Sequence, residues 1–537
     1  MSGHVFVVRG DLRQFACDAW LMPCDRAARP EDFWFPSEYT GPRAGTRFAD
    51  GASRVQSLLD AALARPRPWL CWIGRECPPI SWYAGGAAAF LDAASSAIAA
   101  AGDPPLFGRA CSLLALPIVG TGMGGGASRA GEVVRALLPV LEAFAVRTFP
   151  GGRRFDVALV CFDPVSHAAA QAERAAAENS GRPVWPDDLT RYMRDEAERL
   201  AEQARRGNLA LFLGAGVSAT AGLPGWAALI ERLAGDAGMT GDERAALARM
   251  GSALDQASVI ERWQAGPDGK PRTGAIGAAV TAALGGFRHY ALGHALLAAL
   301  PVREVVTTNY DQLFDAAWRH TDPDGLSVLP GKLVEDTRRW LLKMHGCLSD
   351  PSRVVLTRAS YIRYDEGLPA LAGLVQAFLL TRHMLFVGFS LTDDNFHRLV
   401  DGVRRLRDAP ERPAPLGTAL ALNHAGLSEK LWDRDIRRVR MDDREDLPDG
   451  PRREAARRLD IFLDYLVFRT RDAAHLLVGA RFDELFEPGE KTLRDALQQF
   501  VAAVSGPDAT AVRRTVAWPR IADLLQSLGL KLPDAPG

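Results

Sequence analysis

Three apolar runs in the second half of the chain end in side chains suited to acid–base or hydrogen-bonding chemistry. The runs occupy 305–311, 341–346 and 385–395. Their polar residues are Thr308, Asn309 and Asp311 in the first, His345 in the second, and Ser390 and Asn395 in the third, which also contains Gly388. An amide and a carboxylate can orient a substrate, and an imidazole with a pKa of about 6.5 can accept a proton. The runs therefore indicate a catalytic site assembled from distant segments.

A fourth segment, 211–226, combines an apolar run with glycines. It supplies Gly214, Ala215, Gly216, Ser218, Pro224 and Trp226. Glycines let a backbone approach a pyrophosphate closely, and N–H groups at a helix start favour its negative charge, so the segment predicts a dinucleotide site to which Ser218 adds a hydroxyl donor. The loose dehydrogenase fingerprint also fits, but it requires an acidic residue after a second strand, and Glu231 falls in a helical pattern. A glycine turn that binds no ligand is the remaining alternative.

Strands that alternate with helices must bring these segments together. Short apolar runs at 208–213, 302–307, 340–344, 384–388 and 418–422 are separated by helical patterns, which predicts a mainly parallel sheet with covered faces. In such a sheet, ligands bind beyond the carboxyl ends of the strands. Gly214, Asn309, His345 and Ser390 are therefore expected to converge. Taken singly, Asn309, Asp311 and Asn395 could cap helices, and His345 could be a buried histidine without a catalytic role.

The order of these motifs resembles that of the sirtuin family, above all a bacterial sirtuin-like branch that hydrolyses NAD in anti-phage defence. The order is Gly-Ala-Gly-x-Ser with Gly-x-Pro, then Thr-Thr-Asn-Tyr-Asp, His-Gly and Gly-Phe-Ser-Leu. The resemblance implies that Asn309 positions the ribose and the attacking water, that Asp311 holds the nicotinamide carboxamide, and that His345 lies beside the ribose hydroxyls. It also implies that the NAD phosphates are cradled by Gly214, Ala215, Gly216 and Ser218, and that Gly388 and Ser390 lie on the adenosine side. The full set of residues implied to contact NAD is Gly214, Ala215, Gly216, Ser218, Pro224, Trp226, Thr308, Gly388, Ser390 and Asn395.

Two departures from the sirtuin pattern favour hydrolysis over deacylation. Deacylases carry two C-x-x-C pairs for structural zinc after the histidine, whereas Cys347 is the only cysteine in 207–445, so no such zinc module is expected. Pro224-Gly-Trp226 stands where deacylases show Pro-Asp-Phe-Arg. We therefore expect NAD as the substrate, no metal, and ADP-ribose and nicotinamide as products.

The first 170 residues more weakly resemble macro domains, which bind ADP-ribose and related nucleotides. The likeness rests on Val8-Arg-Gly-Asp11-Leu and on the glycine-rich stretch 116–126. It implies that Asp11 contacts adenine and that a phosphate loop is formed by Gly120, Thr121, Gly122 and Gly124. Cys24-Asp25 replaces the usual asparagine pair, so catalytic removal of ADP-ribose is not expected. The alternative is an α/β domain whose glycines only turn the chain.

The length of 537 residues implies several domains. We predict a macro-like α/β nucleotide-binding or regulatory domain at 1–170, a helical linker at 171–206, a sirtuin-like NAD-cleaving domain at 207–445 and a helical C-terminal region at 446–537. The fold class is α/β, with a Rossmann-type parallel sheet in the third range. The basic run 452–458 is expected to be a solvated helix face.

Composition sets the expectations about location and partners. A formal net charge of −1 gives no global reason to bind nucleic acid or an acidic membrane. No signal peptide, membrane-length apolar run or C-x-x-C pair is visible, which favours a cytoplasmic protein with reduced thiols. Because ungated destruction of NAD would kill the host, we expect control by an ADP-ribose-like nucleotide at the N-terminal domain, a defence partner or a phage-derived trigger. A homo-oligomer is also expected.

Two other functions fit the same residues. An NAD-dependent deacylase or ADP-ribosyltransferase would use the same site, although the missing zinc cysteines count against the deacylase. A non-catalytic scaffold could sense NAD or ADP-ribose through both pockets, but a pure binder has less need of Asn309, Asp311 and His345 together.

Overall fold

The chain forms two separate β-sheets with helices packed on their faces. The computed structural model describes residues 2–35, 41–49, 53–58, 66–73, 78–122, 124–187, 189–265, 274–321, 326–331, 339–363, 369–406, 415–471, 485–486, 488–505 and 509–528.

The N-terminal sheet has six strands in the order β1-β6-β5-β2-β4-β3. Its pairs are parallel except for β3, which lies antiparallel to β4 at the edge. The strands are β1 (Val5–Arg9), β2 (Ala19–Cys24), β3 (Val55–Ser57), β4 (Arg67–Trp72), β5 (Ser112–Pro117) and β6 (Phe155–Cys161). Three helices accompany them, α1 (Ile80–Ala101), α2 (Ala130–Ala145) and α3 (Pro164–Asn179), and a fourth, α4 (Arg191–Arg205), leads to the second sheet.

The second sheet has seven strands, all parallel, in the order β13-β12-β11-β7-β8-β10-β9. The strands are β7 (Leu209–Leu213), β8 (Glu304–Thr307), β9 (Leu326–Leu329), β10 (Arg339–Lys343), β11 (His383–Val387), β12 (Gly417–Ala421) and β13 (Ile436–Arg440). Such a sheet with helices on its faces is the architecture expected of a Rossmann-type domain.

Helices connect these strands and then continue to the C-terminal region. Between β7 and β12 they are α5 (Ala215–Ala219), α6 (Trp226–Asp236), α7 (Gly241–Ala248), α8 (Ala253–Trp263), α9 (Ala275–Leu284), α10 (Leu292–Ala298), α11 (Leu313–Thr321), α12 (Arg358–Ile362), α13 (Pro369–Thr381) and α14 (Asp394–Leu406). After β13 they are α15 (Asp449–Arg469), α16 (Pro488–Ser505), α17 (Ala509–Arg513) and α18 (Trp518–Ser527).

Burial on both faces explains why the central strands were visible in the sequence. All seven residues of β6 and all five of β7 are buried, so these strands are apolar along almost their whole length rather than at alternate positions. The exception is Asp156 in β6, whose carboxylate is paired with Arg457. The five strands predicted from apolar runs in the second half of the chain are present, with ends shifted by at most two residues. Three others, β3, β9 and β13, were not predicted. Each is short or lies at a sheet edge, and β13 reads Ile-Arg-Arg-Val-Arg, which lacks a continuous apolar run.

Helix α1 is long and apolar enough to cross a membrane by length and composition alone. Its side chains Tyr83, Phe90 and Leu91 are fully buried, and the helix packs on α2 and on strands of the N-terminal sheet. It is therefore a core helix of the half of the molecule built on the N-terminal sheet. The described ranges contain no other helix that meets the same criterion.

Helix α15 joins the two halves of the molecule through buried charges. Arg457 is 3% exposed and donates to both carboxylate oxygens of Asp156 on β6. Arg174 of α3 lies 2.9 Å from Asp464 on α15, and the Nε2 atom of His4 lies 2.9 Å from the same carboxylate. The basic run around Arg457 is therefore not a wholly solvated face, and that expectation was wrong. The four domain ranges remain predictions, although α15 also packs on α4, α10 and β1.

Replacing Arg457 with methionine is expected to lower the free energy of unfolding by about 3–5 kcal/mol, because the buried Asp156 carboxylate loses its closest counter-charge. Urea denaturation of the purified full chain measures the change. Arg453→Met, at an exposed position on the same helix, is the matched control and should shift it by less than about 0.5 kcal/mol. Equal shifts in the two variants would contradict the role given to Arg457.

Candidate active site

The register of the second sheet aligns the ends of four strands. Leu213 ends β7, Thr307 ends β8, Lys343 ends β10 and Val387 ends β11, and these residues are successive neighbours across the sheet. The chain segments that follow them leave the sheet at one edge. These are the four segments singled out in the sequence, and the structure brings them together as expected of strands in an open parallel sheet.

The glycines of two of these segments are in close backbone contact. Gly214 N donates to Val387 O at 3.0 Å, and Gly216 N donates to Gly388 O at 2.9 Å. A Cβ atom on Gly214 would lie 2.5 Å from Gly388 O, and one on Gly388 would lie 2.4 Å from Val217 N. Gly388 also has a φ of +64°, a conformation that favours glycine. Packing of these two loops thus requires glycine at these positions, whether or not a ligand is bound.

Ser218 lies at the centre of a buried hydrogen-bond cluster. Its Oγ donates to Asp311 Oδ2 at 2.8 Å and accepts from Asn309 Nδ2 at 3.3 Å. His294 Nε2 lies 3.2 Å from the same oxygen. Asn309 Nδ2 also lies 3.1 Å from Gly214 O, so the amide connects the glycine loop to the cluster. The Ser218 hydroxyl points toward Asp311, which differs from the predicted donation to a phosphate.

Asp311 has a structural role as well as a place in the cluster. Its Oδ1 accepts from Leu313 N at 3.0 Å, so it caps the following helix, as one alternative reading of the sequence proposed. Lys343 donates to the backbone oxygen of Asp311 and lies 2.9 Å from Asp315 in a buried ion pair. Burial alone would lower the pKa of Lys343, but the Asp315 carboxylate raises it above its usual value. The charged Lys343 therefore holds the backbone at Asp311 in place through this hydrogen bond.

His345 is buried and forms a second cluster with Tyr361 and Asp393. Tyr361 donates to Asp393 Oδ2 at 2.9 Å, and His345 Nδ1 lies 3.4 Å from the tyrosine hydroxyl. His345 Nε2 lies 3.5 Å from the Asp393 carboxylate. Burial lowers the pKa of His345 below 6.5, and Asp393 opposes that shift only in part. The imidazole is therefore neutral at neutral pH and able to accept a proton.

Two amides at this edge have buried polar atoms that no described residue satisfies. These are Oδ1 of Asn309 and both Oδ1 and Nδ2 of Asn395. Asn395 is 2% exposed and does not cap α14, since Asp393 accepts from Phe396 N in that position. Buried polar groups in proteins are nearly always hydrogen-bonded, so unsatisfied ones at a strand edge indicate a place for a ligand.

The remaining predicted cofactor residues lie around the same edge. Trp226 begins α6 and its ring is edge-on to that of Tyr310, 6.4 Å away. Thr308 N donates to Leu213 O, and Ser390 is exposed with its hydroxyl 2.6 Å from that of Thr392. Pro224 is half-buried just before α6, and Ala215 and Gly216 are exposed.

Four residues of these clusters were not predicted from the sequence, whereas the argument against a dehydrogenase site was correct. The missed residues are His294, Lys343, Tyr361 and Asp393. Only Lys343 gave a usable signal, a charge at the end of an otherwise apolar strand. Glu231, the acidic residue needed by the dehydrogenase reading, lies within α6 and pairs with Arg244 rather than ending a strand.

The five residues of the predicted second nucleotide site line one cavity in the N-terminal domain. The cavity has a volume of about 1150 Å³ and is lined by Asp11, Gly120, Thr121, Gly122 and Gly124 among others. A Cβ atom on Gly120 would lie 2.1 Å from the Tyr83 ring, whereas one on Gly122 would meet nothing within 4 Å. Both oxygens of the Asp11 carboxylate are engaged by Arg13, so a contact with adenine would have to share them.

Tyr290 connects this cavity to the helix that carries His294. Its hydroxyl accepts from Asp11 N at 2.6 Å and donates to Asp11 O at 3.2 Å. Its backbone pairs with Gln14 O and Ala16 N. His294 follows four residues later, in the first turn of α10. The loop that carries Asp11 and the cluster around Ser218 are thus held by one short segment.

No three His, Cys, Asp or Glu side chains lie close enough to hold a metal ion within the part of the chain that the structure describes. The six described cysteines are free thiols, and all except Cys347 are buried.

Comparison with known proteins gives matches for the part of the chain that carries Asn309, His345 and Asn395. Residues 303–433 match the family model of the SIR2-like domain. The chain is 28% identical over 221 residues to "NAD(+) hydrolase ThsA" of Enterococcus faecium, and 25% identical over 225 residues to the protein of the same name from Bacillus cereus (strain MSX-D12). These matches cover 40% and 41% of this chain and 44% of each relative.

A further relative is "Defense-associated sirtuin 2" of Bacillus subtilis, which is 31% identical over 126 residues. That match covers 22% of this chain and 12% of the relative. The chain thus spans less than half the length of the curated relatives named here. The comparisons support the sirtuin resemblance seen in the sequence.

Replacing Gly214 with alanine is expected to destabilise the protein by more than about 1 kcal/mol, because the new Cβ would meet the backbone of Gly388. Gly373→Ala is the matched control, since Gly373 is exposed within α13 with open space around it, and it should stabilise the protein by about 0.5–1 kcal/mol. Urea denaturation followed by circular dichroism gives both values. A neutral Gly214→Ala would show that the two loops are not locked together.

Proposed function

We propose that this chain, which carries a SIR2-like domain, hydrolyses NAD to ADP-ribose and nicotinamide. The observation that carries the proposal is the meeting of Asn309, Asp311 and His345 at the sheet edge, beside buried amide atoms of Asn309 and Asn395 that no described residue satisfies. Two relatives bear the name NAD(+) hydrolase, which supports the same reaction.

The proposed reaction exchanges one bond at the nicotinamide ribose. The bond between the ribose C1′ and the nicotinamide nitrogen breaks, and its electron pair leaves with nicotinamide, which becomes neutral. A water oxygen bonds to C1′ and gives up one proton. The ribose passes through a species that resembles an oxocarbenium ion, so the orientation of the substrate and a placed water supply the rate enhancement. No oxidant, reductant or metal is needed for this balance.

Each catalytic residue has a role consistent with its surroundings. His345, kept neutral because burial lowers its pKa, accepts the proton. No described residue bonds the buried Oδ1 of Asn309, which suits a hydrogen bond from a ribose hydroxyl or from the attacking water. Asp311 accepts hydrogen bonds from Leu313 N and Ser218 but retains lone pairs, so it can also accept from the nicotinamide carboxamide.

The rest of the cofactor is proposed to follow the loops at the same edge. The exposed backbone of Ala215 and Gly216 is available to the phosphates, and Ser390 is available to the adenosine side. Asn395 offers two unsatisfied amide atoms to the same ligand. Ser218 belongs to the site through Asp311, because its only proton is directed to that carboxylate.

NAD depletion in anti-phage defence is the biological context that we propose. It is supported by the name of the Bacillus subtilis relative, a defence-associated sirtuin. In this proposal the protein is cytoplasmic, assembles as a homo-oligomer, and is held inactive until a nucleotide, a partner protein or a phage-derived trigger releases it. Control is needed because continuous NAD hydrolysis would damage the host.

A second proposed binding site is the cavity of the N-terminal domain, for an ADP-ribose-like nucleotide. The support is that Asp11, Gly120, Thr121, Gly122 and Gly124 all line one cavity. A cavity of about 1150 Å³ is large enough for such a ligand, since small-molecule pockets typically span about 300–1,000 Å³. The macro-like assignment of this domain is part of the proposal.

The first test is NAD consumption by the wild type, Asn309→Ala and His345→Ala, with products separated by chromatography. Release of nicotinamide and ADP-ribose by the wild type is expected, with kcat lowered by at least about 100-fold in each variant. Because the pKa of His345 is lowered, the acidic limb of kcat should fall below pH 6.5. His383→Gln, at the opposite end of β11, is the control and should retain activity.

The products separate the possible functions. An acetylated ADP-ribose formed in the presence of an acetylated peptide would indicate a deacylase. Binding of NAD without turnover, even with phage lysate added, would indicate a sensing scaffold. Equal activity in the wild type and both alanine variants would show that the site has been placed wrongly.

Gly122→Leu tests the N-terminal cavity, because its Cβ would meet nothing within 4 Å and its side chain would take up part of the ligand volume. The stoichiometry of ADP-ribose binding in calorimetry is expected to fall by one per chain. Gly286→Leu, also at a position with open space, is the control and should bind as the wild type does. Unchanged stoichiometry in Gly122→Leu would rule out this cavity as the nucleotide site.

A further inference from the structure

His294 is a fully buried histidine whose two ring nitrogens both have partners. The residue is 0% exposed in the first turn of α10. Its Nδ1 accepts from the backbone N–H of Ala291 at 3.1 Å, and its Nε2 lies 3.2 Å from Ser218 Oγ. Because a backbone N–H can only donate, Nδ1 carries a lone pair, and the ring proton of the neutral imidazole must be on Nε2.

The surroundings keep this imidazole neutral. Burial lowers the pKa of His294 to about 4, and Asp311 opposes that shift only in part. At neutral pH the ring therefore donates from Nε2 to Ser218 and does not carry a charge. Its tautomer is set by the Ala291 backbone rather than by the site that it faces.

The direction of the hydrogen bonds around Ser218 follows from this tautomer. A serine hydroxyl has one proton and two acceptor lone pairs. His294 Nε2 and Asn309 Nδ2 both donate to Ser218 Oγ, so its proton is left for Asp311 Oδ2 at 2.8 Å. Ser218 is fully used, and the Asp311 carboxylate is held as an acceptor in one orientation.

We propose that His294 is a positioning residue for NAD cleavage, which through Ser218 fixes the Asp311 carboxylate toward the nicotinamide carboxamide. The inference rests on the proposed function. It assigns His294 no proton transfer, because the ring is fully buried and its two nitrogens are engaged by Ala291 N and Ser218 Oγ. It also gives the buried Ser218 hydroxyl a function other than a phosphate contact.

Two substitutions separate the two hydrogen bonds of the ring. In His294→Asn, the side-chain oxygen can still accept from Ala291 N, but the donor to Ser218 is lost. In His294→Gln, the longer amide can place an N–H near the position of Nε2 and so restore that donor. We expect kcat/KM for NAD to fall about 10- to 100-fold in His294→Asn and to recover by at least about fivefold in His294→Gln.

A double-mutant cycle with Ser218→Ala tests whether His294 acts through that hydroxyl. Ser218→Ala should lower kcat/KM about as much as His294→Asn does, and the double variant should be no worse than Ser218→Ala alone. Multiplicative losses in the double variant would overturn the proposal. If His294→Asn fails to fold, Ser218→Ala and His294→Gln decide: wild-type turnover in Ser218→Ala would equally overturn it.

A comparison of two ligands distinguishes positioning from general damage to the fold. ADP-ribose lacks the nicotinamide that Asp311 would hold, so its competitive Ki against NAD should stay within about twofold in His294→Asn while the KM or kcat for NAD changes. Parallel losses for both ligands would assign His294 a merely structural role. The pH profile should keep its shape in His294→Gln, since a positioning residue transfers no proton.

Controls separate failure of this inference from failure of the proposed function. His383→Gln replaces a half-buried histidine whose Nε2 lies 2.9 Å from a hydroxyl oxygen, that of Thr418, at the other end of the sheet, and it should leave turnover within about twofold. If the wild type does not cleave NAD, the proposed function fails, and the affinity comparison is made by calorimetry with NAD and ADP-ribose. Wild-type affinity for NAD in His294→Asn would then overturn the positioning role.

Discussion

The contact between the backbones of Gly214, Gly216 and Gly388 is the constraint on which the site depends. Two loops that follow adjacent strands share hydrogen bonds of 2.9 and 3.0 Å and leave no space for a Cβ atom. This contact sets where the chain turns after β7, and therefore where Ser218 and the exposed backbone of Ala215 lie. It also gives the glycine motif a folding reason that is independent of any ligand. A glycine motif of this kind is therefore evidence for a particular backbone geometry, and evidence for a nucleotide site only in combination with other residues.

The charges and polar groups below this contact are arranged so that one side chain orients the next. Lys343 is paired with Asp315 and bonded to the backbone of Asp311, and His294 fixes the proton of Ser218. Most of these groups are buried, where an unsatisfied partner would be costly, so the network has few alternative arrangements. The groups left open are the amide atoms of Asn309 and Asn395. A site for a polar ligand requires both features: side chains held rigidly by buried hydrogen bonds, and acceptors and donors that remain available to the ligand.

The sequence was sufficient to predict the sheet and the segments at its edge, but not the support beneath them. Strands buried on both faces contain runs of consecutive apolar residues, so β7, β8 and β11 were visible, and the parallel sheet brings their ends together. His294, Tyr361 and Asp393 could not be found in this way, because their partners are distant in the sequence and their own neighbours show no distinctive pattern. The buried Arg457 was misread for the same reason: a local run of arginines does not reveal that Asp156 lies opposite. Short edge strands such as β13 also escaped, since an exposed edge does not need a continuous apolar run.

Tyr290 connects the two halves of the molecule through hydrogen bonds. It occupies the space that Gly10 leaves open and bonds the backbone of Asp11, while the chain four residues later supplies His294. The two halves are therefore tied together through this segment: exchanging the N-terminal half for another domain would leave the tyrosine hydroxyl and its two backbone bonds without their present partners. A recombined chain would have to bring a matching surface for 290–294 along with the new domain.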